Sequence, residues 1–129
     1  MENRYLLDSN TVIDYIARLH PERAREKLDA IIDQEMNTSV ITKIEVLSYD
    51  PENDDNFNIL VDFFDAANVF DLDNAIVNKT IQLRQKQKIK LPDAVIAATA
   101  LTYNFILISR NVNDFKKIKG LQVVDPHKL

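Results

Sequence analysis

Four acidic residues, each from a different segment of the chain, could carry chemistry in this sequence: Asp8, Glu45, Asp93 and Asp114. Each taken alone has a structural explanation, because Asp and Glu near helix N-termini are common capping residues. Gathered in one place, however, they would raise each other's pKa unless a cation neutralised them. Mg²⁺ or Mn²⁺ is the natural occupant of an all-oxygen site. Such an ion can activate water for attack on a phosphodiester.

The composition excludes most other catalytic chemistry. The chain has no cysteine, which excludes thiolate nucleophiles, disulfides, cysteine-ligated zinc and iron–sulfur clusters. Its single glycine, Gly120, excludes the Gly-rich loops that bind nucleotide phosphates. The histidines, His20 and His127, have no pattern of partners around them, and we interpret each as structural or solvent-exposed. Catalysis would then depend on carboxylates, hydroxyls and a metal held by oxygen.

Charge is distributed unevenly along the chain, whose net charge is −4. Residues 1–78 carry 17 acidic and 6 basic side chains, whereas residues 79–119 carry 9 basic and 2 acidic ones. Such segregation can create an anion-binding face on an acidic protein. From charge alone we favour the simpler interpretation, a solvated helix surface.

Short apolar runs alternate with helical patterns along the sequence. The predicted strands are YLL (5–7), NTSVIT (37–42), NVFDL (68–72), FILIS (105–109) and LQVVD (121–125). The predicted helix starts are Ser9 or Asn10, Pro21, Thr42, Asp73 and Pro92, with an acidic turn at 50–56. Because no two strands are joined by a hairpin signal, the pattern predicts an α/β fold with a parallel sheet covered on both faces.

This arrangement would bring the acids to one edge of the sheet. Ligands of open α/β sheets bind at the carboxyl ends of the strands. Asp8 follows the first predicted strand, Glu45 lies three residues beyond the second, and Asp114 lies five beyond the fourth. Asp93 begins an almost wholly apolar helix, DAVIAATALTY, where the helix dipole favours negative charge. A buried helix would hold this carboxylate rigidly, as a metal ligand requires.

At these residues the sequence resembles the PIN-domain family and, within it, the VapC-type toxins of prokaryotic toxin–antitoxin pairs. The matching strings are LLDSN, TKIEVL, LPDAVIAATAL and LISRNVNDF, and their order and spacing cover essentially the entire chain. The resemblance implies a Rossmann-like three-layer PIN domain over residues 1–129, with a central parallel sheet of about five strands flanked by helices. It also implies cleavage of RNA that depends on Mg²⁺ or Mn²⁺.

The resemblance assigns roles to particular residues. The catalytic and metal-binding acids would be Asp8, Glu45, Asp93 and Asp114. Supporting polar residues would be Asn10, Ser109 and Asn111. For contact with RNA phosphates, the basic segment offers Arg84, Arg110, Lys88 and Lys90.

The resemblance also implies partners and leaves questions open. Family members commonly form homodimers and are inhibited by a cognate antitoxin protein. No apolar run is long enough to span a membrane and the start lacks the apolar core of a signal peptide, so we expect a cytoplasmic protein. The scarcity of glycine and the acidic stretch 50–56 depart from the family pattern. They leave substrate choice, antitoxin pairing and dimer geometry open.

Three other assignments fit the sequence less well. A PIN-like module that binds RNA or protein without turnover is opposed by the complete set of acids. A haloacid-dehalogenase-like phosphatase would need an Asp two residues after Asp8, where Asn10 stands. A receiver domain would need paired acids after the first strand, where Asp8 stands alone.

Overall fold

The computed structural model describes residues 3–48 and 54–129, so the predicted acidic turn at 50–56 lies mostly outside the described residues. The strands are β1 (Tyr5–Leu7), β2 (Asn37–Ser39), β3 (Asn68–Phe70), β4 (Ile106–Ile108) and β5 (Val123–Val124). The helices are α1 (Ser9–Ile16), α2 (Glu22–Gln34), α3 (Val40–Leu47), α4 (Asp54–Ala66), α5 (Asn74–Lys86), α6 (Leu91–Tyr103) and α7 (Val112–Phe115). A 3₁₀ turn, Pro126–Lys128, follows β5. Among the helices described, none is long and apolar enough to cross a membrane.

The strands form one parallel sheet in the order β3-β2-β1-β4-β5. The chain moves outward from β1 to β3 and then returns to place β4 on the other side of β1. Strands β1 and β4 therefore flank the point where the strand order reverses, and Leu7 pairs there with Ile108. In α/β folds the crevice beyond such a switch point is where ligands bind.

Two apolar layers cover the two faces of the sheet. Successive side chains of a strand point to opposite faces. Accordingly, Leu6 and Leu107 pack into one cluster with the buried face of α6, whereas Leu7 and Ile108 pack into a second cluster with α1 to α4. The predicted α/β architecture, with helices on both faces of a parallel sheet, is confirmed.

Among the helices described, α6 is the most deeply buried. Every residue from Ala94 to Ala100 is buried, so the helix packs on nearly all sides. Pro92 lies at the second helical position, one later than predicted, because the helix begins at Leu91 with Lys90 as its N-cap. Since α6 leads into β4 and the strands are parallel, its first turn lies at the sheet edge where the strands end.

Two predicted boundaries were wrong, for the same physical reason. The strand predicted at 37–42 ends at Ser39, whose hydroxyl accepts a hydrogen bond from the Ile41 N–H and caps α3. The β-branched run that follows is helical, so Thr42 lies inside α3 rather than capping it. Likewise α1 is capped by Asp8 rather than by Ser9 or Asn10. In both cases a polar side chain at the strand end accepts from the free N–H groups of the next helix.

Candidate active site

Asp8 lies at the carboxyl end of β1, between the sheet and the first turn of α1. Its side chain is 4% exposed, and its Oδ1 accepts a hydrogen bond from the Thr11 N–H at 2.8 Å. Burial raises the pKa of Asp8, against the lowering effects of hydrogen bonds from Ser109 and Thr11 and of the charge of Arg110. A buried carboxylate with a raised pKa at a strand end is typical of a functional site.

Ser109 supports Asp8 from the end of the neighbouring strand. Its hydroxyl lies close enough to the Asp8 carboxylate for hydrogen bonding to lower the pKa of Asp8, and it accepts from the Asn111 N–H at 3.0 Å. Ser109 is fully buried, and its own N–H donates to the Val124 carbonyl, so the hydroxyl is held in place. Ser109 therefore lies beside Asp8 and the Asn111 backbone contacts Ser109, while the supporting role predicted for Ser109 and Asn111 stays a prediction.

We expect Ser109→Ala to lower activity by about tenfold, because it removes one hydrogen bond to a charged group, worth roughly 1.5 kcal/mol. The same change should raise the pKa of Asp8 further. The pH profile of cleavage should therefore move to higher pH, a shift that a merely structural defect would not produce. An unchanged profile in the folded variant would contradict this positioning role.

Glu45 reaches the site from α3. Because β2 ends at Ser39, Glu45 lies in the second turn of this helix and is exposed. Its Oε1 accepts a hydrogen bond from the Ser9 hydroxyl at 2.7 Å, which ties Glu45 to the residue directly after Asp8. Sequence reasoning considered Ser9 only as a helix cap and missed this contact. The one sequence signal available for a role of Ser9 in the site was that it directly follows Asp8.

Asp93 is half-buried in the first turn of α6. Burial raises its pKa, as do the charges of Glu45 and Asp114, while Lys90 lowers it. Three of the four predicted acids are therefore close enough to interact electrostatically. The fourth, Asp8, is linked to Glu45 through Ser9.

Asp114 lies in the short helix α7 and is exposed. With Asp93 it lines an open groove of about 240 Å³. The same groove is lined by three lysines: Lys88, Lys90 and Lys117. We call it the lysine groove. Lys88 and Lys90 were predicted from the basic segment, whereas Lys117 was not selected, because a run of surface lysines gives no sign of which ones face a groove.

The other predicted residues have contacts elsewhere. Asn10 is half-buried in α1, and its side chain makes no hydrogen bond to the acids among the residues described. Arg84 donates to the Ile89 carbonyl at 3.2 Å, and Arg110 donates to Asp14 Oδ2 at 3.1 Å. Both arginines are exposed, and their contact with RNA stays a prediction.

The donor chemistry of the acids fits a hard divalent cation. All four side chains offer only oxygen; burial raises the pKa of Asp8 and of Asp93, and the charges of Glu45 and Asp114 raise that of Asp93 further. Within the described residues these acids do not bring three carboxylate oxygens to within 4.8 Å of one another. Mg²⁺ does not require so tight a group, because it usually keeps several of its waters and takes one or two carboxylates directly.

Comparison with known proteins gives a consistent match. The family model of the PIN domain matches residues 5–121. Ribonuclease VapC1 of Rickettsia felis is 46% identical over 41 residues, which are 32% of this chain and 31% of that protein. The tRNA(fMet)-specific endonuclease VapC of Salmonella typhimurium is 27% identical over 95% of this chain and 97% of its own.

A solved structure extends the match to three dimensions. One chain of a toxin–antitoxin complex from Klebsiella pneumoniae superposes with a TM-score of 0.74 at 30% identity. The superposition covers 95% of this chain and 97% of the other. The three-layer arrangement described above is therefore shared over nearly the full length of both chains.

Proposed function

The chain belongs to the PIN domain family, and on this basis we propose that it is a metal-dependent endoribonuclease, the toxin of a type II toxin–antitoxin pair. The observation that carries the proposal is the proximity of Asp93 to Glu45 and Asp114, with Glu45 hydrogen-bonded to Ser9, the residue that follows the buried Asp8 at the switch point of the sheet. Residues 1–129 would form one PIN domain, active in the cytoplasm where its RNA is found.

The acids would bind Mg²⁺ or Mn²⁺, which are the ions that oxygen-only sites accept. When bound, such a cation supplies Lewis-acid activation of water and offsets negative charge on the phosphodiester. The protein's own contribution is orientation. Thr11 and Ser109 hold the Asp8 carboxylate in position. Ser9 does the same for Glu45 through its hydroxyl, and the buried helix α6 does so for Asp93.

The lysine groove would hold the RNA backbone next to the acids. Lys88, Lys90 and Lys117 line the same surface as Asp93 and Asp114, so a phosphate bound by the lysines lies beside the carboxylates. Contacts of lysine with phosphate position a nucleic acid without reading its sequence. Arg84 and Arg110 would bind RNA phosphates at the margin of this surface. To do so, each would exchange its present hydrogen bond within the protein for a contact with phosphate.

We expect the double variant Lys88→Gln/Lys90→Gln to weaken RNA binding by roughly 10-fold or more at about 0.1 M salt and to reduce the salt dependence. The reason is that each lost phosphate contact lowers the slope of log K against log salt by about 0.9 or less. The measurement is filter binding of RNA to an inactive Asp93→Asn background over a salt series. Arg23→Gln/Lys27→Gln, at two exposed positions of α2, removes the same amount of charge; it is the matched control and should leave both quantities unchanged. If the control lost as much RNA affinity as the test variant, the effect would come from net charge alone and not from the lysine groove.

An antitoxin and a second copy of the chain are the proposed protein partners. The Klebsiella relative was solved as a toxin–antitoxin complex. Exposed apolar side chains are available here for such contacts: Val77 and Ile81, four residues apart on α5, and Ile44 on α3. Size measurement of the purified protein alone and after co-expression with a candidate antitoxin would test both partners.

The RNA target is proposed at the level of chemical class. The Salmonella relative is described as specific for tRNA(fMet), which makes that RNA the first to test. Purified protein incubated with tRNA(fMet), other tRNAs and ribosomal RNA should cleave at least one of them with Mg²⁺ or Mn²⁺ and none with EDTA. The alternative, a module that binds RNA or protein without turnover, predicts retention of RNA without new ends under every condition.

A further inference from the structure

The two histidines of the chain lie against each other, although 106 residues separate them in sequence. His20 is in the turn between α1 and α2, and His127 is in the 3₁₀ turn after β5. Their ring centroids are 4.9 Å apart. The third member of the group is Asp14, in the last turn of α1. One possible ligand atom from each of the three lies within 4.8 Å of the other two.

His20 is buried without a hydrogen-bond partner. Its side chain is 6% exposed, yet within the described part of the chain neither ring nitrogen has a partner. Leaving a buried donor or acceptor unpaired costs roughly 1–3 kcal/mol, so such groups call for an explanation. Burial and the neighbouring His127 lower the pKa of His20. The neutral ring therefore offers a nitrogen lone pair at physiological pH.

Both turns that carry the histidines are fixed by their own backbone contacts. On one side, Arg18 adopts a left-handed conformation with φ 58°, and the Leu19 N–H donates to the Asp14 carbonyl at 2.9 Å. On the other side, Asp125 Oδ1 accepts from the His127 N–H at 2.9 Å. Ligands that are held in place before binding lose little conformational entropy when an ion arrives.

We propose that Asp14, His20 and His127 form a second metal site, which takes a divalent cation of the Zn²⁺ class. Two imidazole nitrogens and one carboxylate suit Zn²⁺ and similar d-block ions, whereas Mg²⁺ prefers oxygen alone. The carboxylate of Asp14 has lone pairs enough to accept from Arg110 and to bind an ion as well. The bound ion would link the 3₁₀ turn to the turn between α1 and α2. This site is separate from the four acids and does not depend on the proposed nuclease activity.

The test is a calorimetric titration of tag-free, EDTA-treated and dialysed protein with Zn²⁺. His127→Asn is the decisive variant, because His127 is exposed and its replacement should not disturb folding. Lys128→Gln, in the same turn, is the matched control. We expect one Zn²⁺ site in the native protein and the control, and an affinity at least ~100-fold lower in His127→Asn, since even partners outside the ligand set cost about 10- to 100-fold.

A second background separates this site from the acids. Asp93→Asn should retain the Zn²⁺ site, and Zn²⁺ should shift the imidazole NMR signals of both histidines in that variant. Zn²⁺ should also raise the Tm of the native protein, because an ion that binds only the folded state stabilises that state. The Tm of His127→Asn should not change on addition of Zn²⁺. Equal Zn²⁺ affinity in His127→Asn, loss of Zn²⁺ binding in Asp93→Asn, or no Zn²⁺ binding by the native protein would each overturn the proposal.

Discussion

Replacing Asp93 with Asn is expected to lower the rate of RNA cleavage by at least about 10²- to 10³-fold while leaving the protein folded. Losses of this size follow the removal of one preorganised electrostatic group from a catalytic site. Asp93 is held at the start of buried α6, and its pKa is raised by burial and by Glu45 and Asp114. Asparagine keeps the shape of the side chain but removes the negative charge that would hold the cation.

Asp73→Asn provides a matched control for this prediction. Asp73 also lies at a helix N-terminus, where its Oδ1 accepts from the Ile76 N–H at 2.8 Å, and asparagine can accept the same hydrogen bond. The control should cleave RNA at the native rate. Circular dichroism and Tm verify the fold of both variants. Native activity in folded Asp93→Asn would remove this carboxylate from the mechanism.

The second large effect is expected at Asp8, where one substitution should abolish cleavage and stabilise the metal-free protein. Asp8→Asn retains the cap of α1, because asparagine caps helices as well as aspartate does. It removes a carboxylate that is buried with too little compensating charge. We expect the free energy of unfolding in EDTA at pH 7 to rise by on the order of 1–3 kcal/mol.

The pH dependence of this gain follows from the direction of the pKa shift. The pKa of Asp8 is raised in the folded state, so the folded protein holds this proton to higher pH than the unfolded chain does. Below the unfolded value of about 3.9, both states are protonated and Asp8 contributes no penalty. As pH rises from there through the raised pKa, the native protein loses stability relative to Asp8→Asn. Above that pKa the difference is constant.

Urea unfolding of both proteins in EDTA from pH 4 to pH 8 measures this difference. Other carboxylates affect both proteins alike, so the difference isolates Asp8. Addition of Mg²⁺ should stabilise the native protein and remove the difference in free energy of unfolding between it and Asp8→Asn. The reason is that a cation beside Asp8 offsets the cost of burying its charge. A variant that is less stable than the native protein at pH 7 in EDTA would contradict the account.

The parts of the fold that local signals specify could be predicted from the sequence. The apolar run that ends at Asp8 predicted β1, Asp73 was correctly predicted to cap α5, and the almost wholly apolar string after Asp93 predicted a buried helix. These features depend on side chains within a few residues of each other. The alternation of such segments was sufficient to predict the parallel α/β sheet.

Boundaries and long-range contacts could not be predicted in the same way. The β-branched residues after Ser39 favour a strand locally, but the cap by Ser39 and packing of Val46 against the sheet make the segment helical. The Ser9–Glu45 hydrogen bond and the His20–His127 pair join residues that are 36 and 107 positions apart. No local pattern encodes such distances, and a lone histidine in sequence gives no sign of its partner.

The central claim is that the acids at the switch point make this chain a metal-dependent ribonuclease. The most direct test is to incubate purified native protein with total RNA in Mg²⁺ or Mn²⁺, with and without EDTA, and to map new RNA ends by sequencing. The account predicts ends at defined positions that require the metal and are absent with Asp93→Asn. RNA ends that form equally in EDTA, or equally with the variant, would contradict it.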